Sequence, residues 1–143
     1  MVRYSGLGTT RAVVVIGRVA LKIARNERGV RCNRYEADLY ARTTPERRAM
    51  LCPVLWCSEN GAILAMRAAC PITQAEASQL LATEQYPDWD YSPFDRDPIP
   101  FEYKFSDWGR LDGKLVAVDY SEPALTTPEE LAELLAEHLR RQR

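Results

Sequence analysis

Short apolar runs separated by turn residues dominate the first half of the chain. Residues 12–16 and 19–21 are rich in β-branched and small apolar side chains, and Gly17 lies between the two runs. Runs of this length and composition, broken by a glycine, are typical of adjacent strands. The pattern therefore predicts two strands joined by a tight turn at Gly17.

A second pair of apolar runs, residues 53–57 and 62–66, flanks the tetrapeptide Ser58-Glu59-Asn60-Gly61. An Asn-Gly pair between two apolar runs is a strong signal for a β-hairpin, because both residues tolerate positive φ angles. Together with the first pair, these runs predict an antiparallel sheet within residues 2–66.

Four other segments have helical periodicity or helix-start signals. Thr73 and Glu76 have the spacing of a capping box, and so do Thr127 and Glu130, which enclose a proline suited to a first helical turn. One face of the last segment is shared by Leu131, Leu134, Leu135 and His138. We predict helices over residues 31–42, 44–50 and 73–83 and from residue 127 onward.

The remaining segments are interpreted as turns, loops and one further strand. Residues 26–29 are a polar turn, and the proline-rich residues 85–100 form an ordered loop. Asp112-Gly113 is a turn before an apolar strand over residues 114–119. The long loop lacks the glycine and terminal glutamate of an EF-hand. Solvated charge is therefore favoured over calcium binding at Asp88, Asp90, Asp95 and Asp97.

The composition is that of an ordinary globular protein. Of the 143 residues 46% are hydrophobic, which is enough for one core in a single domain over residues 1–143. The formal net charge of −1 argues against general nucleic-acid binding. The apolar runs are too short to cross a membrane, and no secretory signal is visible, so we expect a cytoplasmic protein.

The cysteines and the single histidine do not have the spacing of a metal site. There is no Cys-x-x-Cys pair, and His138 is far from every cysteine in the sequence. A zinc site needs ligands paired at short spacing. We therefore expect reduced and mostly buried thiols at Cys32, Cys52, Cys57 and Cys70.

Lys22 is the residue on which the functional hypothesis depends. It follows the apolar run at residues 19–21, where an ammonium group is costly to bury unless an anion meets it. Upstream, Gly6 and Gly8 belong to a segment that can turn tightly and bring backbone N–H groups near a phosphate. Taken alone, Lys22 would be interpreted as a strand-end lysine in solvent. With the glycines and a downstream helical Glu36, the pattern favours a phosphate site.

This order of elements resembles the smaller lobe of the protein-kinase-like superfamily. The segment Gly6-Leu7-Gly8-Thr9-Thr10-Arg11-Ala12-Val13 keeps two glycines and the valine of the family loop, with Arg11 in place of the third glycine. Val19-Ala20-Leu21-Lys22 matches the family's strand motif. The resemblance implies ATP binding, with Lys22 on the phosphates, Glu36 orienting Lys22 and Met66 beside the adenine.

The second half resembles the catalytic part of the same family more loosely. Glu102 falls at the catalytic aspartate, Lys104 at the loop lysine and Asp107 at the metal-binding asparagine, but the family's preceding histidine and arginine are absent. Asp119 ends an apolar strand and resembles the aspartate of the Asp-Phe-Gly turn. The resemblance implies Mg²⁺ held by Asp107 and Asp119, with Glu102 as general base.

We therefore predict an α+β fold, a reduced protein-kinase-like domain with a sheet lobe over residues 1–66 and a short helical part over residues 67–143. Only twenty-two residues follow Ser121, too few for a large acceptor lobe. The hypothesis is a degenerate kinase-like protein that binds ATP with weak or no phosphotransfer. Two alternatives stay open. One is a protein-interaction module using the terminal helix or the aromatic loop at residues 89–94, and the other is an active small-molecule kinase.

Overall fold

In the computed structural model, which describes residues 2–142, the chain is an α+β fold with two antiparallel sheets and four α-helices. The larger sheet has the strand order β1-β2-β3-β5-β4, and every neighbouring pair in it is antiparallel. Its strands are β1 (Val2–Leu7), β2 (Arg11–Ile16), β3 (Val19–Ala24), β4 (Val54–Cys57) and β5 (Ile63–Arg67).

Both predicted turns of this sheet are confirmed. Gly17 has a φ of 61° and joins β2 to β3, whose register pairs Ile16 with Val19. Gly61 has a φ of 75°, and its N–H donates to the Ser58 carbonyl at 2.9 Å between β4 and β5. These are the left-handed backbone angles that glycine adopts at least cost.

The smaller sheet corrects the prediction of a helical second half. It consists of β6 (Cys70–Pro71), β7 (Trp108–Leu111) and β8 (Lys114–Ala117), in that order. Asp112 and Gly113 both have positive φ angles, as a two-residue hairpin turn requires. The predicted strand over residues 114–119 ends at Ala117, because the N–H groups of residues 118 and 119 donate instead to the Asp107 carbonyl.

The helices are α1 (Glu27–Arg42), α2 (Pro45–Arg48), α3 (Gln74–Ala82) and α4 (Pro128–Arg141). The polar turn predicted at residues 26–29 is wrong, because the Asn26 side chain accepts the Gly29 N–H at 3.0 Å and caps α1 four residues earlier than predicted. Helix α2 ends two residues before the predicted 50. The capping box at Thr127 is confirmed in both directions.

The beginning of α1 packs directly against the turn between β1 and β2. The Asn26 amide donates to the Thr9 carbonyl at 2.9 Å, and the Arg25 N–H donates to the Thr10 carbonyl at 2.8 Å. A Cβ atom on Gly29 would lie 2.2 Å from that same carbonyl oxygen. The turn therefore rests on a helix whose close approach depends on the missing side chain of Gly29.

One apolar core joins the two sheets. It contains Leu39 of α1, Leu64 and Met66 of β5, Trp108 of β7 and Val116 of β8, all less than a tenth exposed. Residues just before β4 bond to the end of β8, because the Cys52 N–H donates to the Ala117 carbonyl and the Ala117 N–H to the Met50 carbonyl, each at 2.8 Å. These bonds place the β7–β8 hairpin against the larger sheet.

The acidic loop over residues 85–100 is ordered as predicted, but its charges are not simply solvated. Arg47 binds Asp90 at 2.8 Å and also Asp95, and Arg42 binds Asp97 at 2.6 Å. The guanidinium of Arg47 lies 4.7 Å from the ring centre of Trp89, which is fully buried. Trp89 is therefore part of the core and not of a partner surface, and the aspartates hold the loop onto α1 and α2.

The thiols are free but less buried than predicted. Cys32 and Cys52 are buried, Cys57 is partly exposed and Cys70 is exposed on β6. Burial raises the pKa of Cys52 to about 11, so this thiol stays protonated at neutral pH. Among the described residues, no helix has the length and apolar character needed to cross a bilayer.

Replacing Gly29 with alanine is expected to destabilise the protein, although alanine normally favours a helix. The added Cβ would overlap the Thr10 carbonyl oxygen, and overpacking of this kind costs about 1–3 kcal/mol. Urea unfolding of the variant measures the loss. Gly6→Ala is the matched control, because a Cβ there meets nothing within 4 Å. Equal or greater stability of Gly29→Ala would refute the close contact.

Candidate functional site

A cleft of about 570 Å³ lies between the larger sheet and the β7–β8 hairpin. This volume is within the range of small-molecule sites. Of the nine predicted site residues, two do not line it: Glu36 lies behind Lys22, and Glu102 lies outside. The other seven do line it, namely Gly6, Gly8, Lys22, Met66, Lys104, Asp107 and Asp119.

The predicted contact between Lys22 and Glu36 is present and buried. The Lys22 Nζ donates to both carboxylate oxygens of Glu36, at 3.0 and 3.1 Å, and also to the Val118 carbonyl. Lys22 is 5% exposed and Glu36 is fully buried. Lys22 therefore has its ammonium in a paired interior site, and the strand-end lysine in solvent is excluded.

Arg11 is the main functional residue that the sequence interpretation missed. It begins β2, and its guanidinium reaches Glu36 and the Asn33 side-chain carbonyl on α1 through Nη1. Through Nη2 it reaches Asp119 and Ser121, each at 3.3 Å. Burial works to lower the pKa of Arg11, but Glu36 and Asp119 outweigh it, so the pKa is raised and the charge is permanent. The absence of the third glycine was the signal that could have drawn attention to this position.

Asn33 connects the cleft to the sheet behind it. Its amide donates to the Lys22 carbonyl at 3.1 Å and to the Gly61 carbonyl at 2.9 Å, while its oxygen accepts from Arg11. Asn33 and Glu36 are three residues apart on α1 and so lie on one helix face. These hydrogen bonds fix the position of the Asn33 side chain. Because Asn33 and Glu36 lie on the same helix, they also help to fix the position of Glu36 next to Lys22.

The β7–β8 hairpin brings Asp107 and Asp119 to the same end of the cleft. Trp108 pairs with Ala117, which places Asp107 opposite Val118, and the Asp107 carbonyl accepts the N–H groups of Val118 and Asp119 at 2.7 and 3.3 Å. Backbone hydrogen bonds therefore hold the two residues that the sequence interpretation paired, Asp107 and Asp119, next to each other.

The environments of these two carboxyl groups push their pKa values in opposite directions. Burial raises the pKa of Asp107 to about 7, although the Glu102 N–H donates to its carboxyl at 2.9 Å. For Asp119, burial works to raise the pKa, but the charges of Lys22 and Arg11 outweigh it and the pKa is lowered. At neutral pH Asp119 is ionised, whereas Asp107 is partly protonated.

Glu102 and Lys104 lie at the rim. Their side chains are about half exposed, and the Lys104 Nζ is 3.6 Å from the Glu102 carboxylate and 4.0 Å from that of Asp107. Lys104 lines the cleft and Glu102 does not. The backbone of Glu102 has a structural role, because its carbonyl accepts the Trp108 indole N–H at 2.8 Å.

The donor set does not fit a divalent metal ion well. Asp119 Oδ1 already accepts from Arg11 and Ser121, and Asp107 is only partly ionised at neutral pH. Within residues 2–142, no three carboxylate, histidine or thiol groups are grouped closely enough to hold one ion. Hard cations such as Mg²⁺ take several ionised oxygens. Of the three acidic residues that line this cleft, Asp119 is already bound to a guanidinium, Asp107 is partly protonated, and burial also raises the pKa of Glu122.

The opposite end of the cleft is apolar. Its walls carry Val13, Val15 and Ala20 from the sheet, Met66 at the end of β5, and Ile72 just after β6. Ala68, in the connection that follows β5, also lines the cleft, and its N–H donates to the Arg18 carbonyl at 2.8 Å. The cleft thus has one largely apolar end, next to Arg67, and one end with three cationic residues, Arg11, Lys22 and Lys104.

Comparisons with protein-family models, with curated proteins and with solved structures find no match for this chain. The functional interpretation therefore depends on the geometry of the cleft itself.

The raised pKa of Asp107 is expected to make stability fall as pH rises. Folded Asp107 keeps its proton up to about pH 7, whereas the unfolded group loses it near its ordinary value of 3.8, so the folded state binds more protons between these values. This linkage is on the order of 4 kcal/mol. Relative to wild type, Asp107→Asn should therefore gain stability between about pH 4 and pH 7.

Urea unfolding of both proteins at several pH values across this window measures the effect. Asp112→Asn, an exposed acid in the same hairpin, is the control and should follow wild type. A difference between wild type and Asp107→Asn that is constant with pH would contradict the assignment.

Proposed function

We propose that this protein binds a nucleotide in the cleft and transfers phosphoryl groups weakly or not at all. The observation that carries the proposal is the buried Lys22 ammonium, held by Glu36 in the wall of a cleft whose other end is apolar. An apolar slot beside convergent cationic groups suits a planar base joined to phosphates. The antiparallel sheet with one long helix agrees with what the kinase-like resemblance implies.

Binding of a phosphate requires an exchange of hydrogen bonds at Lys22. Its three donors are occupied by the two oxygens of Glu36 and by the Val118 carbonyl. A phosphate oxygen can replace the neutral carbonyl at little cost, because a charged acceptor makes the stronger hydrogen bond. Glu36 keeps the ammonium in place during the exchange.

Weak phosphotransfer follows from the polar end of the cleft. Glu102, the predicted base, is half exposed and outside the cleft, and Lys104 is its nearest charged neighbour. A general base must lie within hydrogen-bond reach of the group that it deprotonates. Asp119 is bound to Arg11 as well, which supports the proposal that the metal and base positions of an active kinase are incomplete in this cleft.

Lys22→Met is expected to weaken ATP binding by about tenfold or more, the loss of one hydrogen bond to a charged group. Arg11 and the Tyr120 N–H still bind Glu36, so the variant should remain folded. Calorimetric titration with ATP, together with circular dichroism of the ligand-free proteins, measures both properties. Lys114→Met, an exposed lysine on β8, is the matched control. Equal ATP affinity in both variants and wild type would contradict the proposal.

Helix α4 favours a second candidate function, which is self-association. It contains no buried residue, and four leucines are each more than half exposed, namely Leu131, Leu134, Leu135 and Leu139. Beside this leucine stripe, Glu130 lies in the first turn of the helix and Arg141 in the last turn. Two copies packed antiparallel would bring the acidic first turn of each helix next to the basic last turn of the other, so the charges favour a second copy of the chain as partner. The contact is one short helix pair, so the dimer would be weak.

Sedimentation velocity over a wide concentration range is expected to show a monomer–dimer equilibrium. Leu135→Glu places a charge in the centre of the stripe and should leave only monomer. Arg140→Glu adds the same charge on the opposite helix face and should still dimerise. A wild-type protein that is monomeric at every concentration would contradict self-association through α4.

A further inference from the structure

Arg11 occupies the polar end of the cleft between its two ionised acids. It is 7% exposed, it lines the cleft, and its guanidinium joins Glu36 on α1 to Asp119 after β8. Lys22 also binds Glu36, and it donates to the same carboxylate oxygen, Oε1, as Arg11 does. The guanidinium of Arg11 thus places a permanent positive charge between the carboxylates of Glu36 and Asp119.

The charges of this cluster already balance. Arg11 and Lys22 carry two positive charges, and Glu36 and Asp119 carry two negative ones. A divalent cation at Asp119 would share this carboxylate with Arg11, which binds its Oδ1, and would lie near two buried cations. Four cationic residues, Arg11, Lys22, Arg67 and Lys104, and three acidic ones, Asp107, Asp119 and Glu122, line the cleft. A polyphosphate would bind on the side of the cations, because unlike charges attract.

We propose that Arg11 takes the place of the metal ion, so that this cleft binds nucleotide polyphosphates without a divalent cation. This inference rests on the proposed nucleotide function. The two terminal nitrogens of the Arg11 guanidinium have different roles in this proposal. Nη1 stays on Glu36 and Asn33, while Nη2 exchanges its 3.3 Å contacts with Asp119 and Ser121 for phosphate oxygens. Contacts of this length are at the weak end of the hydrogen-bond range and are readily exchanged.

Arginine is the residue type suited to this exchange. Its planar guanidinium presents several N–H groups in a fixed fork, which binds two acceptors at once and matches phosphate geometry. A lysine at the same position would carry the charge, but its single ammonium group lacks the fork that lets Arg11 hold Glu36 through one nitrogen and a phosphate through the other. The substitution of arginine for the third glycine of the loop therefore changes the ionic requirement of the site.

The experiment is a titration of wild-type protein with ATP, once with excess EDTA and once with excess Mg²⁺. The inference expects saturable binding in EDTA, with an affinity no weaker than in Mg²⁺. Competition by inorganic tripolyphosphate in EDTA then shows that the phosphates are the bound part. Binding that requires Mg²⁺ would overturn the inference and leave the nucleotide proposal standing, whereas no binding under either condition would overturn both.

Variants of Arg11 test the residue itself. Arg11→Gln is expected to weaken binding in EDTA by about tenfold or more. Mg²⁺ should restore part of the affinity in this variant, because Asp119 loses its cationic partner. Arg11→Lys should lie between wild type and Arg11→Gln, and Arg18→Gln, in the exposed β2–β3 turn, should behave as wild type.

The ratio of affinities in EDTA and in Mg²⁺ separates this role from a structural one. A variant that is merely destabilised loses affinity equally under both conditions, so its ratio does not change. Circular dichroism checks that each variant is folded at the temperature of the titration. An unchanged ratio in folded Arg11→Gln would overturn the assignment to Arg11. If the variant does not fold, the wild-type titrations in EDTA and in Mg²⁺ still test the inference.

Discussion

A single buried carboxylate, that of Glu36, holds together the parts of the chain that surround the cleft. It accepts from Lys22 on β3, from Arg11 on β2 and from the Tyr120 N–H after β8, the last at 2.7 Å. An ionised carboxylate away from water is tolerated only when its hydrogen bonds are satisfied, and leaving it with no cationic partner would cost about 3–5 kcal/mol. Glu36 thus links both β2 and β3 of the larger sheet and the segment after β8 to α1.

The sequence could predict the local elements around this carboxylate but not the way they converge. Gly17 and the Asn60-Gly61 pair specify their turns through their own backbone preferences, and Thr127 with Glu130 specifies a helix start. Lys22 needs an anion because it follows an apolar run, and the kinase-like resemblance implies that Glu36 is this anion. The sequence interpretation missed the first turn of α1, because a polar segment with Asn26 at one end and Gly29 at the other is as typical of a turn as of a capped helix start.

The residues that sequence reasoning missed act over long distances in the chain. Arg11 contacts a residue 108 positions away, and Arg47 contacts loop residues 43 and 48 positions away. Nothing in the local sequence of an arginine indicates which distant acid it will meet, because that choice depends on the packing of the whole core. The same limit explains the acidic loop, where aspartates typical of a solvated surface are bound by arginines on α1 and α2.

The attachment of the β1–β2 turn to α1 has a consequence for the rate of ligand entry. The carbonyls of Gly8, Thr9 and Thr10 are all held by Arg25 and Asn26, so the turn is ordered before any ligand arrives. A pre-ordered wall loses little conformational entropy on association and does not have to close before the complex forms. Entry of the proposed ligand should therefore not wait for the β1–β2 turn to close.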